Sequence, residues 1–146
     1  MLEALPLVRI EQGVTLVHGS LREPDREYLF EPEETPPHFA LQTTQLSIVG
    51  HTHLQCWFEE FAEGAVQMGL ALDGEILELP SNRMILNPGS VGQPRDGDQR
   101  AGYAIYDSDA ATFTWHRVTY DVASVQEKMR AANLPVELIE RLSHGR

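Results

Sequence analysis

The sequence predicts a β-rich α/β fold, and three observations carry that prediction. Short apolar runs recur along most of the chain, each bounded by Gly, Pro, Asn or Asp. Two of them, VTLV and LSIV, are almost continuously apolar rather than alternating, which suits strands buried on both faces. From Asp121 onward the spacing turns helical, so two helices follow the strands and cover a sheet on one face. With 146 residues and 42% hydrophobic content, the chain suits one domain, able to bury about two-thirds of its unfolded surface.

Taken in order, LEAL reads as the tail of a helix cut off by Pro6. PLVRI and VTLVH read as two strands about a turn at Glu11 to Gly13. Residues 21–37 hold four prolines and many acids, which makes a surface loop with at most one helical turn. PHFALQTT is a short helix and LSIVG the next strand. QCWFEEF, AVQMGLAL and GEILELP follow as short strands, and RMILNPG is an apolar run halted by Pro88 and Gly89. SVGQPRDGDQR is a loop. AGYAIYD and ATFTWHRVTY form a hairpin turning at Asp107 to Ala110. Asp121 is an N-cap for VASVQEKMRAANL, and Pro135 opens the last helix.

Composition excludes some classes of function. A net charge of −11 argues against a broad grip on a nucleic-acid backbone, which needs a basic stripe. It leaves an anionic substrate open, because a bound metal reverses the local sign. The single cysteine, Cys56, rules out a disulfide within the chain, points to a cytoplasmic setting and reads as a small core residue. The first residues lack the features of a signal peptide. No apolar run approaches the roughly 20 residues that span a membrane, so no membrane partner is expected.

Three of the six histidines follow apolar strands: VTLV runs into His18, and LSIVG into His51 and His53. In α/β sheets the crevice beyond the carboxyl ends of such strands is the usual ligand site. In extended backbone, residues i and i+2 face one side, about 6.5–7 Å apart. His51 and His53 are therefore expected to face one cavity while Thr52 turns away. Neutral imidazoles in that arrangement suit Zn, Mn, Fe or Ni. Half-buried, hydrogen-bonded histidines are the competing reading, and His18 on a second strand tips the balance toward metal. Gly50 removes a side chain where backbone and cluster crowd. His38, His116 and His144 lack this context and are assigned to structure or solvent.

Three segments, LVHGS at 16–20, VGHTH at 49–53 and LNPGSVGQPRDGDQRAGYAIYD at 86–107, make the chain resemble the calcineurin-like metallophosphoesterase superfamily, in its small bacterial and archaeal phosphodiesterase branch. The resemblance implies an α/β/β/α four-layer sandwich with a mixed sheet and C-terminal helices. It implies that His18 and His51 bind one of two divalent ions and that His53 binds the other. It places Asn87, Ser90, Gln93 and Arg95 near the substrate, Arg95 as a phosphate partner. The family's D-x-H, G-D-x-x-D and G-N-H-D/E motifs do not occur in the 146 residues. The chain is therefore expected to be the C-terminal part of such a domain, residues 1–146, with no catalytic residue of its own and at most one weak metal site. Its activity would be hydrolysis of small phosphomonoesters or phosphodiesters, weak or absent in isolation. The alternatives are an inactive remnant that binds a metal or a partner, and a β-rich binding domain with structural histidines. Metal analysis separates the last from the others, and a phosphatase assay separates the first two. An open sheet edge and apolar face favour self-association or association with the missing N-terminal half.

Overall fold

A computed structural model describes residues 4–146. Strands β1 (Val8–Glu11) and β2 (Val14–Val17) form a hairpin about Gln12 and Gly13, with φ of 50° and 79°. Two successive positive φ values are what a two-residue type I′ turn requires, and Gly13 supplies one without steric cost. β3 (Leu46–Ile48) runs parallel to β2, and β7 (Met84–Pro88) parallel to β3. β4 (Gln55–Glu60) pairs antiparallel with β7, and β5 (Val66–Leu70) antiparallel with β4. The six-stranded mixed sheet thus has the order β1-β2-β3-β7-β4-β5. A second, antiparallel sheet holds β6 (Ile76–Glu78), β9 (Thr112–Val118) and β8 (Ala101–Asp107), in that order.

The central strands of the larger sheet, β2, β3 and β7, are buried on both faces, as their near-continuous apolar runs require. On β7, Met84 and Leu86 join the cluster that includes Phe113 and Trp115 of the smaller sheet. Ile85 points the other way, with Val17, Cys56 and Phe58, beneath Leu29 and Phe39. Phe39 belongs to α1 (Pro36–Leu41), whose two prolines occupy the first helical positions, where a missing N–H costs nothing. Burial pushes the Cys56 thiol up to about 12, so it stays protonated and behaves as core. Trp115 ties the layers together, its indole N–H donating to the carbonyl of Asn87 at 2.8 Å.

The strands fall where the apolar runs put them, and the fold class is as expected: a mixed sheet, a second sheet and closing helices α2 (Val122–Ala131) and α3 (Val136–Glu140). The helix tail expected at LEAL begins among residues 1–3, outside the described residues. Asp121 caps α2, accepting the Ser124 N–H at 3.0 Å. Asp121→Ala should lower stability by about 1 kcal/mol, read as a shifted urea midpoint with unchanged slope. β1 lies at one edge of the sheet, beside the exposed Leu5, Leu7 and Ile10. Leu5 and Leu7 line an open cavity of about 740 Å³ that reaches His18. Among the described residues no helix is long and apolar enough to cross a membrane.

Candidate metal centre

The three sequence segments meet at one end of the larger sheet. β2, β3 and β7 are adjacent and parallel, so their carboxyl ends open on the same side. His18 follows β2, His51 and His53 follow β3, and Asn87 closes β7. The Gly50 N–H donates to the His18 carbonyl at 2.8 Å, and a Cβ on Gly50 would touch the His18 ring at 3.4 Å. This supports the crowding expected there.

The backbone of GHTH is not extended, which corrects the spacing argument for His51 and His53. β3 ends at Ile48, and the Thr52 N–H folds back onto the Gly50 carbonyl at 2.7 Å. His51 sits between them with φ of 66°, the rare and strained hand of a γ-turn. His53 also has a positive φ, 62°. Such residues cost of order 1–3 kcal/mol and gather at functional sites. Thr52 does turn away from the cleft. It is 1% exposed and its hydroxyl accepts from the Asn87 amide at 2.9 Å.

The imidazoles of His18 and His51 are in contact. His51 Nδ1 lies 2.9 Å from His18 Nε2, and His51 Nε2 lies 3.2 Å from the Arg26 carbonyl. A carbonyl only accepts, so His51 Nε2 carries hydrogen and its Nδ1 offers a lone pair to His18. His53 Nδ1 faces the Gln93 carbonyl at 2.5 Å, which likewise leaves Nε2 with the lone pair. The His51 pKa is lowered, first by burial and next by the charge of His18. That of His53 is lowered chiefly by burial, and Arg95 pushes both down. Each shift keeps the rings neutral, the form that ligates metal.

The other expected residues take varied places. Asn87 lies beneath the histidines rather than in the cleft. It is 1% exposed, and its amide bonds the Gly50 carbonyl, the Thr52 hydroxyl and the Gly89 N–H. Ser90 accepts from the N–H groups of Gly92 and Gln93, shaping the loop. Gln93 supplies the carbonyl to His53, and Arg95 donates its N–H to the His53 carbonyl at 3.4 Å. Arg95 Nε is buried without a partner. His38 is fully buried in α1, His116 stacks on Tyr103, and His144 is exposed. All three serve structure or meet solvent.

Two features beside the histidines escape sequence reasoning. Tyr28 stacks on His51 at 3.8 Å between ring centroids and on Phe30 at 5.3 Å. It lies in the proline-rich, acidic loop, where no periodicity marks it. Ser20, fully buried, anchors that loop: its hydroxyl bonds Glu27 and accepts the N–H groups of Arg22 and Glu23. The loop folds so closely that a Cβ on Gly19 would lie 2.8 Å from the Glu27 carbonyl oxygen, so only glycine fits. Tyr28→Ala should leave the fold intact and weaken any metal held by His51 several-fold, by freeing its ring. Titration of the variant against the parent protein reads this.

Comparison with known proteins agrees with this fold. The chain superposes on the crystal structure of a metallophosphoesterase from Sphaerobacter thermophilus with a TM-score of 0.92 and 44% identity, over 99% of its own length. The fold is metallophosphoesterase-like. A second structure, hypothetical protein PH1004 from Pyrococcus horikoshii, shares this metallophosphoesterase-like fold at a TM-score of 0.71 and 18% identity, over 99% of the chain and 53% of that protein. In sequence, the chain is 36% identical over 151 residues to the uncharacterized protein MJ0912 of Methanocaldococcus jannaschii. It spans 58% of that relative and 60% of the Sphaerobacter chain. No protein-family model matches it.

The metallophosphoesterases as a family use divalent ions, and the histidine nitrogens are the donors this chain offers to one. The His18 and His51 nitrogens already share one contact, and a hydrogen-bonded carbonyl orients His53 as metal-ligating histidines are oriented. His18 and His51 thus offer a pair of nitrogens to one transition ion, and His53 stands apart from that pair. Among the described residues, no three His, Cys, Asp or Glu side chains stand close enough to hold an ion. A bridging carboxylate is therefore not part of the described cluster.

Proposed function

We propose that this chain is the histidine-bearing, C-terminal part of a metal-dependent hydrolase of small phosphoesters. The observation that carries the reading is the 2.9 Å contact between His18 and His51, at the carboxyl ends of adjacent parallel strands. The 44% identical metallophosphoesterase supports it. His18 and His51 would hold one divalent ion (Mn, Fe, Zn or Ni), and His53 a second or the same one. A bound ion supplies positive charge for phosphoryl oxygens and lowers the pKa of a coordinated water. The chain's own part is to keep the His51 and His53 rings neutral, to orient the three imidazoles, and to present Arg95 to phosphate while Ser90 and Gln93 shape the loop. The protein would work in the cytoplasm, without nucleic-acid partners. The open flank at β1 would be covered by the rest of a longer domain or by a second copy.

A second reading, an inactive domain that binds a metal or a partner, is favoured because no three His, Cys, Asp or Glu side chains among the described residues are grouped closely enough to hold an ion. Calorimetric titration with Zn²⁺ tests the shared part of both. His51→Ala should weaken binding at least tenfold and His116→Ala by less than twofold, with Mg²⁺ binding poorly. Equal losses in the two variants would refute a histidine centre. Hydrolysis of an aryl phosphate by the Mn²⁺-loaded protein then divides the readings. Any Mn²⁺-dependent turnover, even well below the enzyme median of about 10 s⁻¹, favours the hydrolase over the binding domain.

A further inference from the structure

The His53 ring meets one main-chain acceptor, the carbonyl of Gln93. The loop that carries this atom is irregular from Gly89 to Arg100 and has to be held from outside. Its distal part is tied to the smaller sheet, where the Arg117 guanidinium, 7% exposed, grips Asp96. The part nearest His53 is held by residues 141–146. Arg141 Nη2 donates to Gln93 Oε1 at 2.8 Å, and Gln93 Nε2 donates to the Arg146 carbonyl at 2.9 Å. Both ends of the Gln93 amide are thus clamped. The Gly97 N–H donates to the Gly145 carbonyl at 3.0 Å. Gly145 has φ of 62° and approaches Asp98 so closely that a Cβ would lie 2.6 Å from its nitrogen.

We propose that Arg141 is a positioning residue for His53, acting through Gln93. The inference rests on the reading of His53 as a metal ligand. The guanidinium makes its only side-chain hydrogen bond among the described residues to Gln93. Its backbone is fixed independently, since Ile139 and Leu142 are buried and Gln126 bonds the Ile139 carbonyl and the Ser143 hydroxyl. A fixed arginine holds the glutamine side chain, and this sets where the glutamine's own carbonyl points. That carbonyl selects the Nδ1–H form of His53 and leaves Nε2 free to ligate.

The test reads the tautomer directly, by ¹⁵N–¹H correlation of the histidine rings in the metal-free protein at pH 7.5. The parent protein should show His53 mainly in the Nδ1–H form. Arg141→Met should shift it toward Nε2–H while leaving His38 and His116 unchanged, and Arg141→Lys should restore much of the original pattern. Gln93→Met removes the clamp from its other side and should reproduce the shift. Gln126→Met, which loosens the same helices without touching Gln93, should leave the tautomer alone. Zn²⁺ affinity should fall about three- to tenfold in Arg141→Met. An unmoved tautomer in Arg141→Met or Gln93→Met, or an equal shift in Gln126→Met, overturns the positioning role. A parent protein that binds no Zn²⁺ yet shows the tautomer shift would instead refute the metal reading and leave the positioning role standing.

Discussion

Lowering the pH from 7 to about 4 should remove about 3 kcal/mol of stability through His38 alone. The ring is fully buried, and burial lowers its pKa from 6.5 to about 4. Its hydrogen bonds point the same way. His38 Nδ1 receives the Leu21 N–H at 3.1 Å, so it has to be the bare nitrogen, and Nε2 faces the Ser47 hydroxyl at 2.9 Å. Protonating Nδ1 would set two N–H groups against each other inside the core. The unfolded chain, with an ordinary histidine near 6.5, binds a proton that the folded chain refuses between about pH 6.5 and 4. Stability is therefore fully present above about pH 6.5 and falls as pH drops through that window. Each pKa unit is worth about 1.4 kcal/mol, so the window amounts to about 3 kcal/mol. Urea denaturation at pH 7.0 and 4.0 measures it. His38→Gln should be less stable at pH 7 and lose less on acidification, and the difference between the two proteins removes the contribution of other titrating groups, including His51 and His53. Parallel pH profiles would refute the argument.

His38 also shows where sequence reading stops. Two prolines before a histidine signal a helix start or a loop, and nothing local says that the ring is driven into the core between Leu21 and Ser47. The strands were legible because burial on both faces demands runs such as VTLV and MIL, and those runs are local. Asp121 was legible because a cap is a local contact. His18, His51 and His53 were legible as a group because each follows a strand, and parallel β2, β3 and β7 bring their ends together. Their conformation was not. A period of two holds only while the strand lasts, and β3 stops at Ile48. Beyond it Gly50 frees the backbone, and tertiary bonds to His18 and Asn87 impose positive φ on two histidines. Tyr28 and the Gln93 carbonyl were invisible for a related reason. One is an aromatic in an aperiodic loop, and the other is a main-chain atom that any residue type supplies.

Asn87→Ala should cost about 3 kcal/mol and disorder the histidine loop at the same time. Asn87 is the point where packing and site chemistry meet. Its Nδ2 donates to the Gly50 carbonyl and to the Thr52 hydroxyl, both at 2.9 Å, and its Oδ1 accepts the Gly89 N–H at 3.0 Å. Alanine removes all three bonds. A buried group that loses its partner costs about 1–3 kcal/mol, and water reaching the space would recover part of the sum. The damage is directional, because Gly50 and Thr52 flank His51. Without the amide, little opposes relaxation of the strained turn at His51, and the contact of that ring with His18 should loosen. Asn87→Asp is the sharper test, being nearly the same shape. Its carboxylate still accepts from Gly89, but it sets a second acceptor against the Gly50 carbonyl and adds a charge with no partner. Asn87→Asp should therefore be at least as unstable as Asn87→Ala at pH 7, and should recover when acid protonates the carboxyl. Urea midpoints for both variants at two pH values, with the His18 and His51 ring resonances followed in parallel, decide the matter. An Asn87→Asp protein as stable as the parent at pH 7, with undisturbed histidine resonances, would mean that Asn87 does not hold the site together.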